Sequence, residues 1–263
     1  MKKCFKILSL LIAFVLMVSV FTACDKENKL IVATNAEFEP FEYKDNKDNL
    51  IGFDIDLINK IAEKIDMEVE FKNMEFDSIV GSVQSGASSV SVSGMTITEK
   101  RLKNVDFSDP YYNASQVVIV RTDDTVVTGT TKEEIDEQLK NKTIGVCAGF
   151  TGGTYVEGDE KEDIKPIEGA TKKEYDNINL AMQDLKNGQI DAIIMDDVVA
   201  KRAAEAEQNK KDVKVINVPL TTEQYGIAIG KDKTELKDKI NKALKELKDE
   251  GFIDELIERW INK

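Results

Sequence analysis

Histidine is missing from all 263 residues of this chain. Its absence removes the imidazole base from any Ser-His-Asp or Cys-His nucleophile system, and removes imidazole from any metal site. Catalysis would have to rest on carboxylates, lysine or tyrosine. Cysteine is scarce too: of three in the chain, Cys4 and Cys24 fall within the first 24 residues. Cys147 alone remains in the body, so no disulfide can form there. Its apolar setting, Ile144-Gly145-Val146-Cys147-Ala148, reads as that of a small core residue. Positive charge is in deficit, with 36 Lys and Arg against 49 Asp and Glu, a formal net charge of -13. Such a surface repels phosphate backbones, so nucleic acid is not an expected partner. Solenoid repeats and low-complexity tracts are also lacking.

What is present begins with a leader over residues 1–24. Lys2, Lys3 and Lys6 precede an apolar run from Ile7 to Phe21, and Thr22-Ala23-Cys24 closes it with small residues. The run suits the apolar region of a signal peptide and is short for a span of ~20 residues. Beyond a polar tether, Leu30–Thr34 is a β-type run, and residues 35–43 form a loop fixed by Pro40. Phe38 sits just past that strand end, where side chains face a cleft in open α/β sheets. Apolar residues at 57, 58, 61, 62 and 65 keep helical spacing, Met67–Phe71 alternates as a strand, and Phe76–Val83 is a second amphipathic helix.

A second series follows a strong strand at Gln116–Val120 and a helix over Lys132–Leu139. It has a strand at Thr143–Ala148, a glycine-rich turn at Gly149–Gly153, a helix over Asn179–Lys186 and a buried-type strand at Ile190–Met195 ending in Asp196-Asp197. Val198–Gln208 reads as helix, Val213–Val218 and Gln224–Ile229 as strands, and helices over Thr234–Glu250 and Ile253–Ile261 close the chain. Two β-α-β units imply two parallel sheets with helices on their faces.

The organising stretch is Ser91–Tyr112, SVSGMTITEKRLKNVDFSDPYY. A strand through Ser93 turns at Gly94, where backbone can approach a ligand without a Cβ. Thr96 and Thr98 suit the cap of a helix beginning at Glu99. Arg101 then offers a planar fork of donors that matches a carboxylate. Donors, hydroxyls and one guanidinium at a strand-to-helix turn make a carboxylate receptor, or else a capped helix with a solvated arginine.

Together these segments resemble the polar amino-acid family of bacterial solute-binding proteins, receptors of ATP-driven importers. The matching segments are Pro40-Phe41-Glu42, Gly52–Leu57, Gly94–Arg101, Asp106–Tyr112, Gly149–Gly152, Asp191-Ala192 with Asp196-Asp197, and Tyr225–Ala228. The resemblance implies an α/β, two-lobed periplasmic-binding-protein-like fold of type II, with crossing strands near 114–120 and 214–221. Its lobes would be 25–115 with 220–263, and 116–219. It also implies that Arg101, Thr96 and the N–H groups of Thr151 and Gly152 grip a ligand α-carboxylate. Asp196, with the carbonyl of Gly94 beside Ser93, would take the α-ammonium, and Phe38 and Phe76 would sandwich the ligand side chain. The secondary readings are Asp196 as the cap of the next helix and Phe76 as a core residue. Asn35 stands where relatives selective for cationic amino acids carry Asp; Glu37 is either a contact for a basic side chain or a solvated charge. Ser89 replaces the Asp of the family's Gly-x-x-Asp, which puts a turn brace in doubt.

Phe21–Cys24 resembles a lipobox, which implies lipidation at Cys24 and an anchor at the outer face of the cytoplasmic membrane. Expected partners are a free L-amino acid and the membrane subunits of an ABC permease, with a monomeric chain and no metal or cofactor. The alternative on the same fold is an arogenate or prephenate dehydratase-like enzyme, for which Glu37 is the single candidate general acid.

Overall fold

The computed structural model describes residues 28–262. The leader and Cys24, and with them the lipidation reading, lie outside the described residues.

Two five-stranded sheets form the frame. The first has the order β5-β1-β6-β15-β7, from β1 (Lys29–Thr34), β5 (Glu68–Asn73), β6 (Val90–Ser91), β7 (Asp106–Phe107) and β15 (Ala228–Ile229). β1 pairs in parallel with β5 and β6, while β15 runs antiparallel to β6 and β7. The second has the order β11-β10-β12-β9-β13, from β9 (Gln116–Arg121), β10 (Thr143–Cys147), β11 (Thr171–Tyr175), β12 (Ala192–Asp196) and β13 (Val213–Ile216). β10 is parallel to β11 and β12, and β9 is antiparallel to both β12 and β13.

Both sheets share one topology. In the first, β1 leads through helix α1 (Phe53–Lys64) to β5 on one side, and β5 leads through α2 (Phe76–Gln84) to β6 on the other. In the second, β10 leads through α5 (Thr151–Glu157) to β11, and β11 through α6 (Ile178–Lys186) to β12 on the far side of β10. The winding therefore reverses between β1 and β6, and again between β10 and β12. At such a reversal the loops leave the carboxyl ends of neighbouring strands in opposite directions and open a crevice.

β9 has both faces covered: Val117 and Ile119 join one hydrophobic cluster while Val118 and Val120 join another, all at most 1% exposed. Period-two alternation sends neighbours to opposite faces, so a strand covered on both is apolar at successive positions, here Val117 to Val120. Two short helices set the local geometry. Thr98 Oγ1 accepts the N–H of Arg101 at the start of α3 (Glu99–Leu102), and Thr131 Oγ1 accepts that of Glu134 at the start of α4 (Lys132–Leu139). Helix α7 (Asp197–Glu205) follows β12, and α8 (Thr234–Asp249) and α9 (Phe252–Leu256) lead into a π-helical turn over Ile257–Ile261.

The sheets are joined twice. β8 (Tyr112–Ala114) runs on through Ser115 into β9, and the chain returns from β13 into β14 (Glu223–Tyr225), which pairs antiparallel with β8. The stretch expected as one strand over 224–229 thus divides: Glu223–Tyr225 pairs with β8, and after Gly226-Ile227 the chain enters the first sheet as β15. The loop expected over 35–43 carries a small sheet of β2 (Glu37–Phe38), β3 (Glu42–Lys44) and β4 (Leu50–Ile51). Ser89, where a brace was in doubt, accepts the N–H of Ile31 on Oγ at 3.1 Å and ties β1 to the approach of β6.

Candidate functional site

All four crevice strands deliver residues of interest at their carboxyl ends. β1 delivers the 35–38 loop, β6 the Ser93-Gly94 turn, β10 the Gly149–Thr151 turn and β12 Asp196. Gly94 has φ +48°, and a Cβ there would collide with the ring of Phe38, so only glycine lets the turn lie against that ring. At Gly152 a Cβ would stand 2.9 Å from the carbonyl oxygen of Ile194, which is why the first turn of α5 can press onto β12.

Arg101 is 9% exposed. It donates to the carbonyl of Thr96 at 2.6 Å and, across the crevice, to that of Gly149 at 3.0 Å. Its guanidinium carbon lies 5.2 Å from the centre of the Phe76 ring. Burial lowers its pKa to about 10, against the charges of Glu223 and Asp196, and it stays cationic at neutral pH. Asp196 is 3% exposed and accepts the Tyr225 hydroxyl at 2.6 Å. Burial, reinforced by the charge of Glu223, raises its carboxyl to about 7. Asp196 makes no side-chain capping bond to α7; Asp197 Oδ1 instead accepts the N–H of Val198. The capping alternative for Asp196 is thereby removed, and its burial needs another reason.

The aromatic residues meet around one ring that the sequence reading passed over. Phe150 lies 5.4 Å from Phe38 and 4.3 Å from Phe76 between ring centres, and so touches both members of the expected sandwich. Glu223 was missed as well. Only 8% exposed, it accepts the hydroxyls of Thr96 at 2.7 Å and Thr151 at 2.9 Å on one oxygen, and that of Thr221 at 2.9 Å on the other. Gln116 donates to Thr151 Oγ1 at 3.1 Å. The glycine-rich turn could have pointed to Phe150, but Glu223 gives no local signal. Ser93 turns inward: its hydroxyl donates to Glu42 at 2.6 Å and accepts the N–H of Asn35. Glu37 is exposed and lines a separate cavity of about 440 Å³ with Glu39, Lys44, Asn179 and Arg202. A 240 Å³ cavity opens beside Arg101, Phe76 and Thr151, and a 390 Å³ cavity beside Thr96, Thr151 and Glu223.

The chain matches the bacterial extracellular solute-binding proteins, family 3, over residues 30–263 and belongs to that family. It is 32% identical over 247 residues to the arginine-binding extracellular protein ArtP of Bacillus subtilis, covering 91% of each chain. It is 33% identical to a probable histidine-binding protein of Neisseria gonorrhoeae, covering 88% of this chain and 82% of that one. Among solved structures, an ancestral arginine-binding protein bound to arginine is similar at a TM-score of 0.79 and 41% identity, covering 89% of this chain and 98% of the other. The fold is thus the two-lobed one of periplasmic binding proteins. The chain is a solute-binding protein, and the dehydratase reading gives way to a family of transporter receptors.

Behind the crevice sits a buried acid pair. Glu42 and Asp54 are both 0% exposed; Asp54 accepts the N–H of Gly94 at 2.7 Å and the Tyr111 hydroxyl at 2.8 Å. Burial, then the neighbouring Asp54, holds Glu42 well above the usual carboxylate range, and burial raises Asp54 to about 6. With Asp196 at about 7, the native state binds more protons than the unfolded chain between roughly pH 4 and 7. Stability from these groups is complete below the unfolded values and is lost as pH rises through the folded ones. Urea unfolding of wild type should therefore weaken from pH 4 to 7, and Glu42→Gln should flatten that slope. A variant with the wild-type slope would show that Glu42 does not hold a proton.

Proposed function

We propose that the chain is the substrate-binding lipoprotein of an ABC importer, capturing a polar or basic L-amino acid between its lobes for delivery to a permease. One observation carries this reading: Arg101 and Asp196 are buried, stand on opposite lobes, and have no oppositely charged side chain within 4.0 Å among the described residues. A buried guanidinium with no anion beside it is costly, and burial already pushes the Asp196 carboxyl up to about 7. An amino-acid zwitterion supplies a carboxylate for Arg101, with the N–H groups of Thr151 and Gly152, and an ammonium for Asp196 and the Gly94 carbonyl. Phe38 and Phe76, with Phe150, would flank its side chain. The carboxylates Asp196 and Glu223 outnumber Arg101 here, which favours a cationic side chain, in line with the arginine and histidine named for two relatives. Glu37 lines a separate cavity and stands outside this seat.

Sheet membership supports lobes of 25–115 with 220–263, and 116–219. The leader supports cleavage before Cys24 and a lipid anchor on the outer face of the membrane. Cys24→Ala should release the protein from cell membranes into the medium; retention of the variant would argue against the anchor.

A thermal-unfolding screen against the common amino acids, after refolding to strip carried-over ligand, tests the receptor reading. Ligand at ~1,000 times its dissociation constant adds about 4 kcal/mol and several degrees. Arg101→Ala and Asp196→Asn should each weaken binding by about 3–5 kcal/mol, at least ~100-fold. Near-native affinity in either variant, or no shift with any amino acid, would overturn the site.

Binding should also depend on pH. An ammonium needs the ionised form of Asp196, whose carboxyl is raised to about 7, so affinity rises and proton release falls as pH increases from 6 to 8. Calorimetry in two buffers of different ionisation heat reads that proton; equal heats at pH 6 would remove Asp196 from the ammonium site.

A further inference from the structure

Two hydroxyls in the crevice have already committed their protons. Thr96 Oγ1 and Thr151 Oγ1 both donate to the same oxygen of Glu223, at 2.7 and 2.9 Å. A hydroxyl has one proton and two lone pairs, so a threonine that donates to a carboxylate can only accept from anything else. Thr151 already takes the N–H of Gln116 on one lone pair and keeps one more. Nearby, Asp196 is a carboxylate acceptor, and Gln116 Oε1 is fully buried with no hydrogen-bond partner among the described residues. Around Glu223 the crevice therefore offers acceptors, while its cation, Arg101, donates from elsewhere.

We propose that Glu223 is a positioning residue that fixes the polarity of Thr96 and Thr151, turning both hydroxyls into acceptors for a ligand ammonium. The inference rests on the amino-acid receptor reading and refines it. It moves the Thr96 hydroxyl from the carboxylate end of the ligand to the ammonium end. Glu223 itself does not touch ligand; it acts through the two hydroxyls. The consequence is selectivity for an amino acid over the same acid lacking its amine, because without the ammonium the two committed hydroxyl oxygens have no ligand donor to accept from. A glutamine at 223 has nearly the same size, but its amide N–H groups can donate to a threonine oxygen. That frees the threonine proton and mixes the polarity of the seat.

The test is calorimetric titration of the mature protein with two ligand pairs: L-arginine against 5-guanidinopentanoate, and L-glutamine against glutaramate. Each pair differs only in the α-ammonium. Glu223→Gln should weaken the amino acid about tenfold or more and leave its desamino partner within about twofold, since hydrogen bonds to charged groups are worth that much. Thr96→Val should reduce the same preference, and the double variant should lose little beyond either single one, as expected for two groups acting through one contact. Thr96→Val also carries the test should Glu223→Gln fail to fold. An equal loss for both members of a pair, as a merely structural role would give, overturns the proposal, as does an unchanged preference. Wild-type protein that binds amino acids while Glu223→Gln keeps the preference overturns this inference alone. Wild-type protein that binds none of them overturns the receptor reading and this inference with it.

Discussion

A charged guanidinium at 9% exposure is the constraint around which the crevice is arranged. Arg101 holds its place by donating to carbonyls on both lobes, Thr96 on one and Gly149 on the other, with the Phe76 ring against it. Carbonyls satisfy its N–H groups without neutralising its charge. The surroundings must therefore be arranged so that the positive field is answered by Asp196 and Glu223 at longer range. Every other polar group of the crevice lies within that field, and the two sides are tied to one another through the same side chain.

The topology explains how such a residue can be assembled. Reversed winding in each sheet brings loops from distant parts of the chain to the crevice, and the paired strands β8 and β14 run between the two sheets. Asp196 sits at the end of β12 and Arg101 on the short helix α3, and turns beside glycines allow close backbone approach. Behind them, Asp54 fixes the N–H of Gly94, and Glu42 fixes the hydroxyl of Ser93, so the Ser93-Gly94 turn is braced by buried acids. This links pH to the shape of the site as well as to its charge.

Residues with a local signature were legible without the structure. The helix over Lys132–Leu139 was bounded correctly because Thr131 caps it and its buried side keeps helical spacing. The Gly94–Arg101 turn was recognised from glycine, two threonines and an arginine in order. Elements that depend on partners elsewhere were not legible. β11 is an edge strand reading TKKEY, charged and mostly solvent-facing, so it lacks the apolar alternation that marks a half-buried strand. The small sheet β2–β3–β4 consists of two- and three-residue strands, too short for any periodicity to register. The stretch 224–229 looks like one strand because Tyr225, Ile227 and Ile229 alternate along it, and its division is imposed by two different pairing partners.

By itself the sequence determined that two α/β units exist, that no imidazole chemistry operates, and which motif carries a guanidinium and which an aspartate. These are properties of composition, local periodicity and short-range turn chemistry. Only the tertiary structure decided that Asp196 is buried without capping a helix, that Phe150 lies against both Phe38 and Phe76, and that Glu223 accepts hydrogen bonds from the hydroxyls of Thr96 and Thr151. Those hydroxyls lie 127 and 72 residues from Glu223 in the chain. No local pattern encodes such a meeting, because burial and hydrogen-bond direction are fixed by which surfaces the fold brings together.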